Sequence, residues 1–265
     1  MNQPLTPQML DGARLYQAPQ LGDDRRLLQA IFSRQGGFSQ GPYRSLNLGR
    51  SVGDDDAAVT ANLRKARGIL GISAANTVYC HLVHGADVYS VSSRHRGQMA
   101  GYGDGLVTNE PGLILTMNYG DCVPLLFHDP ARQVIGLAHA GWRGTMQNIA
   151  GAVARTMVDM FQCDPQNIRA LIGPSIGPCC YEVGPEVEQA AAGAFAQSEQ
   201  FFSRPDGSRA HFDLWAANHH QLSQAGVGTI LEAGLCTACR KDEFFSHRAE
   251  RGQTGRFGVF MGLRP

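Results

Sequence analysis

The stretch GDCVPLLFHDPARQVIGLAHAGWRGT, residues 120–145, is the most informative about the fold class of this chain. Its two short apolar runs, VPLLF and QVIGLAHA, are separated by turn residues, which predicts two strands that follow each other along the chain. A helix is predicted next, from near Thr145 to Phe161. The apolar positions that recur there at helical spacing are Met146, Ile149, Val153, Met157 and Phe161.

Outward from this stretch, further apolar runs bounded by turn residues predict more strands: TVYCHLVHGADVYSV (77–91), GLVTNEPGLILTM (105–117) and residues 168–172. Helices are predicted after the acidic run 54–56, over 185–197 and over 212–225. Because strands come in series and helices do not strictly alternate with them, we expect one α+β domain, 27–265, with mixed sheets and flanking helices. Residues 1–26, which are mixed, polar and proline-containing, are expected to form an irregular arm.

The charge balance excludes two classes of partner. Lys+Arg and Asp+Glu both number 23, and the pI of about 7.1 lacks the basic excess of a nucleic-acid or membrane-surface binder. All the basic residues except Lys65 and Lys241 are arginines, whose planar groups favour binding of small anions. Seven cysteines, an odd number, together with an N-terminus that lacks a signal-peptide pattern, predict a soluble protein of the reducing cytoplasm.

Three candidate metal ligands stand where predicted strands meet turns: His84, Cys122 and His139. Polar side chains that interrupt buried strands are costly without partners, so these three are expected to converge at one rim of a sheet. A hydrogen-bonded structural role is the alternative for each histidine. Cys236 and Cys239 have the C-x-x-C spacing, but no second pair completes a site in the sequence, and packing of small thiols is favoured there and for Cys179-Cys180.

Several motifs in order resemble one family. They are LNLG (46–49), LVHGADV (82–88), GDGLVTN (103–109), GDCVPLLFHDP (120–130), AHAGWRGT (138–145), IGPSIGPCCYEVG (172–184), FDLWAANHHQL (212–222) and FFSHR…TGRFG (244–258). Together they resemble the YfiH or laccase-domain family, also known under the names polyphenol oxidase, purine nucleoside phosphorylase and peptidoglycan editing factor. Leu82 departs from the glutamine that is more usual two residues before the ligand histidine.

The resemblance implies that His84, Cys122 and His139 bind zinc. Three nitrogen and sulfur ligands leave the fourth tetrahedral position for phosphate or water, as in catalytic zinc sites. The same two-histidine, one-cysteine set also describes a blue-copper site, with Met117 near enough in sequence to suggest an axial ligand. The nine histidines include no His-x-His pair of the multicopper type, which disfavours a copper-dependent polyphenol oxidase.

The activity implied by the resemblance is phosphorolysis of adenosine, inosine and S-methyl-5′-thioadenosine, with some adenosine deamination. The expected partners are therefore purine nucleosides and phosphate, with no nucleic acid and no membrane. Cys122, His139 and Asp121 are the predicted catalytic residues. The predicted substrate-binding residues, for which structural roles are equally compatible with the sequence, are Arg44, Asn47, Arg143 and Arg248.

Two other classes of function stay open. One is a hydrolase that edits peptidoglycan precursors, with Cys122 as nucleophile and His139 as its base. The other is a non-catalytic interaction protein whose metal only stabilises the fold. A structural site is normally closed by a fourth Cys or His, and the motifs supply no such ligand, which favours a catalytic metal.

Overall fold

The computed structural model describes residues 4–22, 26–207 and 209–265. Its strands are β1 Thr6–Leu10, β2 Ala13–Gln17, β3 Leu27–Phe32, β4 Thr77–His81, β5 Val88–Ser90, β6 Met99–Tyr102, β7 Gly105–Thr108, β8 Ile114–Tyr119, β9 Val123–Asp129, β10 Val134–Ala140, β11 Arg169–Ile172, β12 Phe202–Ser203, β13 His211–Phe212, β14 Thr229–Glu232 and β15 Phe257–Leu263. Its α-helices are α1 Asp56–Leu70, α2 Trp142–Met146, α3 Ile149–Phe161, α4 Pro185–Ala194 and α5 Leu214–Gln224.

Two mixed sheets form the centre of the fold. The first has the order β1-β2-β3-β15-β8-β4-β6 and the second the order β14-β11-β9-β10-β7-β5, while β12 and β13 form a small ribbon. Most neighbours are antiparallel, but β4 runs parallel to β8 and β6, β5 to β7, and β11 to β14. The predicted α+β class with mixed sheets and flanking helices is confirmed.

The two-residue period of the strands sorts their side chains between layers, as β9 illustrates. Leu125 and Phe127 belong to the apolar cluster beneath α3, α4 and α5, whereas Leu126 belongs to the cluster between the two sheets. Helix α1 covers the opposite side of the first sheet, where Ala66 packs in a third cluster with Phe32. The layers therefore run helix, sheet, sheet, helices. No helix within the described ranges has the length and apolar character needed to cross a membrane.

The acidic run 54–56 begins a helix, as predicted. The Asp55 side chain accepts a hydrogen bond of 2.8 Å from the Ala58 N–H and so caps α1. The helix predicted from Thr145 to Phe161 is instead two helices, because Asn148 adopts a left-handed φ of 61° and caps α3 through the Gly151 N–H.

The expectation of an irregular arm over residues 1–26 was wrong for the part that the structure describes. Strands β1 and β2 pair as a hairpin at the edge of the first sheet, joined by Asp11-Gly12, both with positive φ. Such a dipeptide is a strong hairpin-turn signal. The exposed side chains of β1 lack the apolar alternation by which strands are recognised in sequence, which hides the hairpin.

Candidate active site

The three candidate ligands converge in the structure. His84 lies in the turn after β4, Cys122 in the turn between β8 and β9, and His139 near the end of β10. One ligand atom from each lies within 4.8 Å of the other two. Within the described part of the chain no fourth His, Cys, Asp or Glu side chain joins this group. The group is graded in exposure, from the exposed His84 to the buried His139, so it opens toward solvent on one side.

A buried carboxylate orients His139. The Nδ1–H of His139 donates to Asp104 Oδ1 at 2.9 Å, and the other oxygen of Asp104 accepts from the Gly85 N–H at 2.8 Å. These bonds hold the pKa of Asp104 below its usual range, although burial opposes this. With Nδ1 engaged, Nε2 is the nitrogen that faces Cys122. A carboxylate behind a ligand histidine is the usual support for a protein-bound metal.

Gly141 leaves room for the group. A Cβ at this position would lie 3.0 Å from Cys122 Sγ and 3.2 Å from the Cδ2 carbon of His84. The backbone there is extended, with φ of −75°, so the glycine is required by space and not by conformation. The free space, the imidazole and thiolate donors and the supporting carboxylate together fit a four-coordinate metal ion such as zinc or copper.

Without a metal, Cys122 and His139 form an ion pair. Burial by itself raises the pKa of the Cys122 thiol, but the charges and hydrogen bonds of His139 and His84 outweigh it and lower the pKa to about 6. Burial likewise lowers the pKa of His139, but Cys122 and Asp104 raise it to about 9. A cysteine that is deprotonated at neutral pH is ready to ligate a metal, since the thiolate is the metal-binding form.

Asp121, next to Cys122, acts as an anchor. Its Oδ1 accepts from Thr237 Oγ1 at 2.6 Å and its Oδ2 from the Arg248 N–H at 2.7 Å. Asp121 is buried and has a φ of 89°, a conformation that few non-glycine residues adopt. The carboxylate thus ties two distant loops to the turn that presents Cys122.

One wall of the site carries two of the predicted arginines. The Arg248 guanidinium lies 5.2 Å from the ring centre of Tyr181 and donates to the Glu182 carbonyl. Arg143 stacks on Trp142 at 4.2 Å. Burial raises the pKa of Tyr181, and among the nearby charges Cys122 and Asp121 add to the shift while Arg248 and Arg143 oppose it. The charges of Cys122, Asp121, Arg143 and Arg248 thus all act on Tyr181.

A further arginine near the site, Arg256, was not predicted from the sequence. Burial lowers the pKa of Arg256, and the charges of Cys122 and Asp121 partly offset this. Its side chain packs against Gly120, next to Asp121 and Cys122 in the chain, and lines a cavity of about 600 Å³, a size typical of small-molecule sites. None of the three candidate ligands is among the residues that line this cavity. Other residues that line the cavity are Arg50, Arg67, Tyr79, His81 and Leu82.

Comparison with known proteins identifies the family. The family model described as multi-copper polyphenol oxidoreductase laccase matches residues 28–264. This chain belongs to the YfiH family of laccase-domain proteins.

Several members of the YfiH family are similar over nearly their whole length. Purine nucleoside phosphorylase YlmD of Geobacillus stearothermophilus is 39% identical over 88% of this chain and 89% of that protein. Purine nucleoside phosphorylase YfiH of Escherichia coli is 33% identical over 92% and 97%. The crystal structure of YlmD from Geobacillus stearothermophilus superposes with a TM-score of 0.92 at 35% identity and covers all of both chains.

Asn47 has a different role in this YfiH-family chain from the predicted substrate contact. It is fully buried, its amide donates to Gly49 O and Asp54 Oδ2, and its oxygen accepts from the Gly49 and Arg256 N–H groups. With every polar atom engaged, Asn47 positions the backbone of Arg256. Arg44 is exposed and lines a separate cavity with Arg34, to which none of the three candidate ligands contributes.

Two residues of the YfiH-family site were absent from the sequence prediction: Asp104 and Arg256. Asp104 lies in the motif GDGLVTN and Arg256 in the motif TGRFG. In each motif a charged residue lies between glycines, which is only a weak indication of a functional residue. Tyr119 is wholly buried, with its hydroxyl donating to Ala138 O at 2.9 Å, so it supports the sheet beneath His139. Met117 packs in the cluster between the two sheets.

Proposed function

We propose that this protein is a zinc-dependent purine nucleoside phosphorylase that acts on adenosine, inosine and S-methyl-5′-thioadenosine, with adenosine deamination at the same site. The observation that carries the proposal is the convergence of His84, Cys122 and His139, backed by Asp104. Three arginines lie on neighbouring segments: Arg143 on Trp142, Arg248 on Tyr181 and Arg256 against Gly120. The names of the relatives as purine nucleoside phosphorylases support the substrate class.

Zinc would be held by His84, Cys122 and His139. When bound, it would supply Lewis acidity to an oxygen nucleophile. The protein supplies the rest of the arrangement: Asp104 fixes the ring of His139, and Gly141 keeps the space beside Cys122 free of side-chain atoms. Asp121 holds the turn that presents Cys122.

In phosphorolysis, a phosphate oxygen forms a bond to C1′ of the ribose while the bond from C1′ to the purine nitrogen breaks. The purine leaves with the bonding electrons and takes up a proton. Arg143 and Arg248 are the proposed phosphate holders, since guanidinium groups match phosphate oxygens. The Arg248 N–H donates to Asp121 beside Cys122, and Arg143 lies two residues after Gly141, which adjoins Cys122 Sγ. The cavity beside Arg256 is the proposed nucleoside site, where Tyr79 and His81 offer rings against a purine.

Deamination uses water as the nucleophile in place of phosphate. The water oxygen forms a bond to C6 of adenine while the bond from C6 to the amino nitrogen breaks. One proton of the water leaves with the amino group as ammonia, and the other ends on N1 of the purine. The walls that hold the nucleoside serve both reactions, so the two activities are expected to share their dependence on His84 and His139. Only phosphorolysis is expected to depend on phosphate and on the arginine wall.

A second candidate is a thiol hydrolase acting on peptidoglycan precursors. The metal-free ion pair of Cys122 and His139, with Asp104 behind it, has the arrangement of a cysteine nucleophile, its base and an orienting carboxylate. In this case Cys122 attacks a carbonyl carbon, the bond to the amine breaks, and His139 delivers the proton to the leaving amine. Water then hydrolyses the thioester on Cys122, which releases the carboxylic acid and restores the thiol. Such a reaction requires neither phosphate nor metal.

The discriminating experiment is phosphate-dependent release of adenine from adenosine by purified protein of known metal content. We expect zinc in the protein, release that requires phosphate, and loss in His84→Ala of both the activity and the zinc ion bound at this site. The control is His219→Ala, an exposed histidine of α5 that bonds to Glu232. Unchanged release in a His84→Ala protein that has lost the zinc ion of this site would refute the metal mechanism.

The same preparations separate the other functions. Cleavage of a peptidoglycan precursor that is lost in Cys122→Ser and persists after metal removal would favour the thiol hydrolase. Copper together with oxidation of phenols would favour the oxidase activity in the description of the family model. No turnover in any assay, with metal bound, would favour a non-catalytic role.

A further inference from the structure

Two cysteine pairs that are separate in sequence meet at the surface of the structure. Sγ atoms of Cys179, Cys180, Cys236 and Cys239 all lie within 4.8 Å of one another. Cys239 Sγ is 3.6 Å from Cys179 Sγ and 3.4 Å from Cys180 Sγ. The sequence-based expectation that no second pair completes the Cys236–Cys239 motif was therefore wrong. We call these four residues the cysteine cluster.

The spacing of the cysteine cluster matches the ligands of one tetrahedral ion. A zinc ion with Zn–S bonds of about 2.3 Å holds its four sulfurs about 3.8 Å apart. Disulfide-bonded sulfurs lie about 2.05 Å apart, and all four thiols are free in the structure. An iron–sulfur cluster would separate its ligands further, because several iron and sulfide atoms lie between them. One ion with four thiolates is the chemistry that this spacing fits.

The backbone around the cysteine cluster has the form of two facing turns. The Cys180 N–H donates to Gly177 O at 3.0 Å, and the Arg240 N–H donates to Cys236 O at 3.0 Å. The Gly177 N–H in turn donates to Cys236 Sγ at 3.2 Å, from the opposite turn. An N–H group aimed at a sulfur stabilises its thiolate, the form in which cysteine binds metal.

Core packing does not explain the cysteine cluster. Cys179 and Cys239 are exposed, and only Cys236 is buried. Small thiols that serve packing lie in the interior, as Cys80 and Cys163 do in this chain. Four thiols gathered with two of them at the surface point instead to a ligand.

We propose that the cysteine cluster binds one Zn²⁺ ion in a closed, structural site, distinct from the open site of His84, Cys122 and His139. The ion would join the turns that carry the two cysteine pairs. Both turns also hold Asp121: the Ile176 N–H donates to its carbonyl at 2.9 Å, and Thr237 donates to its carboxylate. A structural ion here thus stabilises the support of the turn that presents Cys122. This inference goes beyond the proposed function and does not depend on it.

Zinc content per chain tests the site. The full chain is purified under anaerobic, reducing conditions, loaded with Zn²⁺, freed of unbound metal and analysed by mass spectrometry. We use His84→Ala as the background, because it disables the other candidate site. We expect about one zinc ion per chain in this background, and near zero after the further change Cys239→Ser. Cys80→Ala in the same background is the control and should keep the ion.

Two further measurements test the identity of the ligands and the folding of the variant. Co²⁺ in place of Zn²⁺ should show the strong sulfur-to-metal absorption of a tetrathiolate in His84→Ala, and lose it in the double variant. Cys239→Ser alone should lose one zinc ion while its circular dichroism stays that of the unchanged chain. Equal zinc with and without Cys239, bound iron in place of zinc, or disulfides among the four cysteines and no metal would each overturn the assignment.

Discussion

His139 Nδ1 lies 2.9 Å from Oδ1 of the fully buried Asp104, although 35 residues separate them in the chain. This contact joins the start of β7 to the end of β10, which are neighbouring strands of the second sheet. It fixes which nitrogen of His139 faces Cys122, and so determines the geometry of the whole candidate metal centre. Loss of the hydrogen bond between Asp104 and His139 should therefore weaken metal binding.

Asp104→Asn is therefore expected to weaken zinc binding by about ten- to a hundredfold, because the amide no longer offers His139 a charged acceptor. Competition with a chelator of known affinity measures this. Asp87→Asn is the matched control, since Asp87 is exposed and only its backbone carbonyl contacts Asp104. Equal zinc affinity in Asp104→Asn and the unchanged chain would show that this carboxylate does not support a metal ligand.

Gly141→Ala is expected to reduce bound zinc and activity together. The added methyl group would lie 3.0 Å from Cys122 Sγ, so the thiolate or His84 must move. Gly193→Ala in α4 is the control, because nothing lies within 4 Å of the added carbon there. That change should leave zinc content unchanged and raise helix stability by up to about 1 kcal/mol. Full zinc content in Gly141→Ala would contradict the assigned centre.

Cys122 in the metal-free protein is expected to react with iodoacetamide already at neutral pH, where an ordinary thiol is mostly protonated. Its pKa of about 6 means that the thiolate fraction, and with it the alkylation rate, rises as pH increases through about 6 and then levels off. Burial raises the pKa of Cys80 and of Cys163 to about 12, so these two should stay unmodified at neutral pH. Peptide mass spectrometry follows each cysteine separately.

Zinc should protect Cys122 from this reaction, because the metal takes up the thiolate. A midpoint near pH 8.5 in the metal-free protein, as for an ordinary thiol, would mean that His139 and His84 do not stabilise the charge. Reaction unaffected by zinc would mean that Cys122 is not a ligand.

Arg143→Ala and Arg248→Ala are expected to raise the KM for phosphate by roughly ten- to a hundredfold, the loss of one charge-assisted hydrogen bond. The KM for adenosine should change much less. The Arg248 backbone N–H, which holds Asp121, is retained in the variant. Arg155→Ala, an exposed change on α3, is the control.

Arg44→Ala tests the remaining predicted phosphate residue. Arg44 lines a different cavity, so this change is expected to leave both KM values unaltered. A higher KM for phosphate in Arg44→Ala, together with an unchanged KM in Arg143→Ala and Arg248→Ala, would place the phosphate site away from the candidate metal centre.

The sequence by itself determined the strand-rich α+β class and the three ligand candidates. Short apolar runs broken by turn residues are local signals, and His84, Cys122 and His139 each stand at such a break. The sequence pattern did not predict the hairpin of β1 and β2, because an exposed edge strand needs no apolar alternation. The dipeptide Asp11-Gly12 is nevertheless a signal for its turn.

Only the tertiary structure decided which residues act together. Asp104 meets His139 because β7 pairs with β10, and Arg256 packs against Gly120 because β15 pairs with β8, contacts that no local pattern records. Cys179-Cys180 and Cys236–Cys239 are weak motifs alone, and become one cluster where their two turns face each other. Local periodicity sets elements, whereas the pairing of distant strands sets the neighbours from which a site is made.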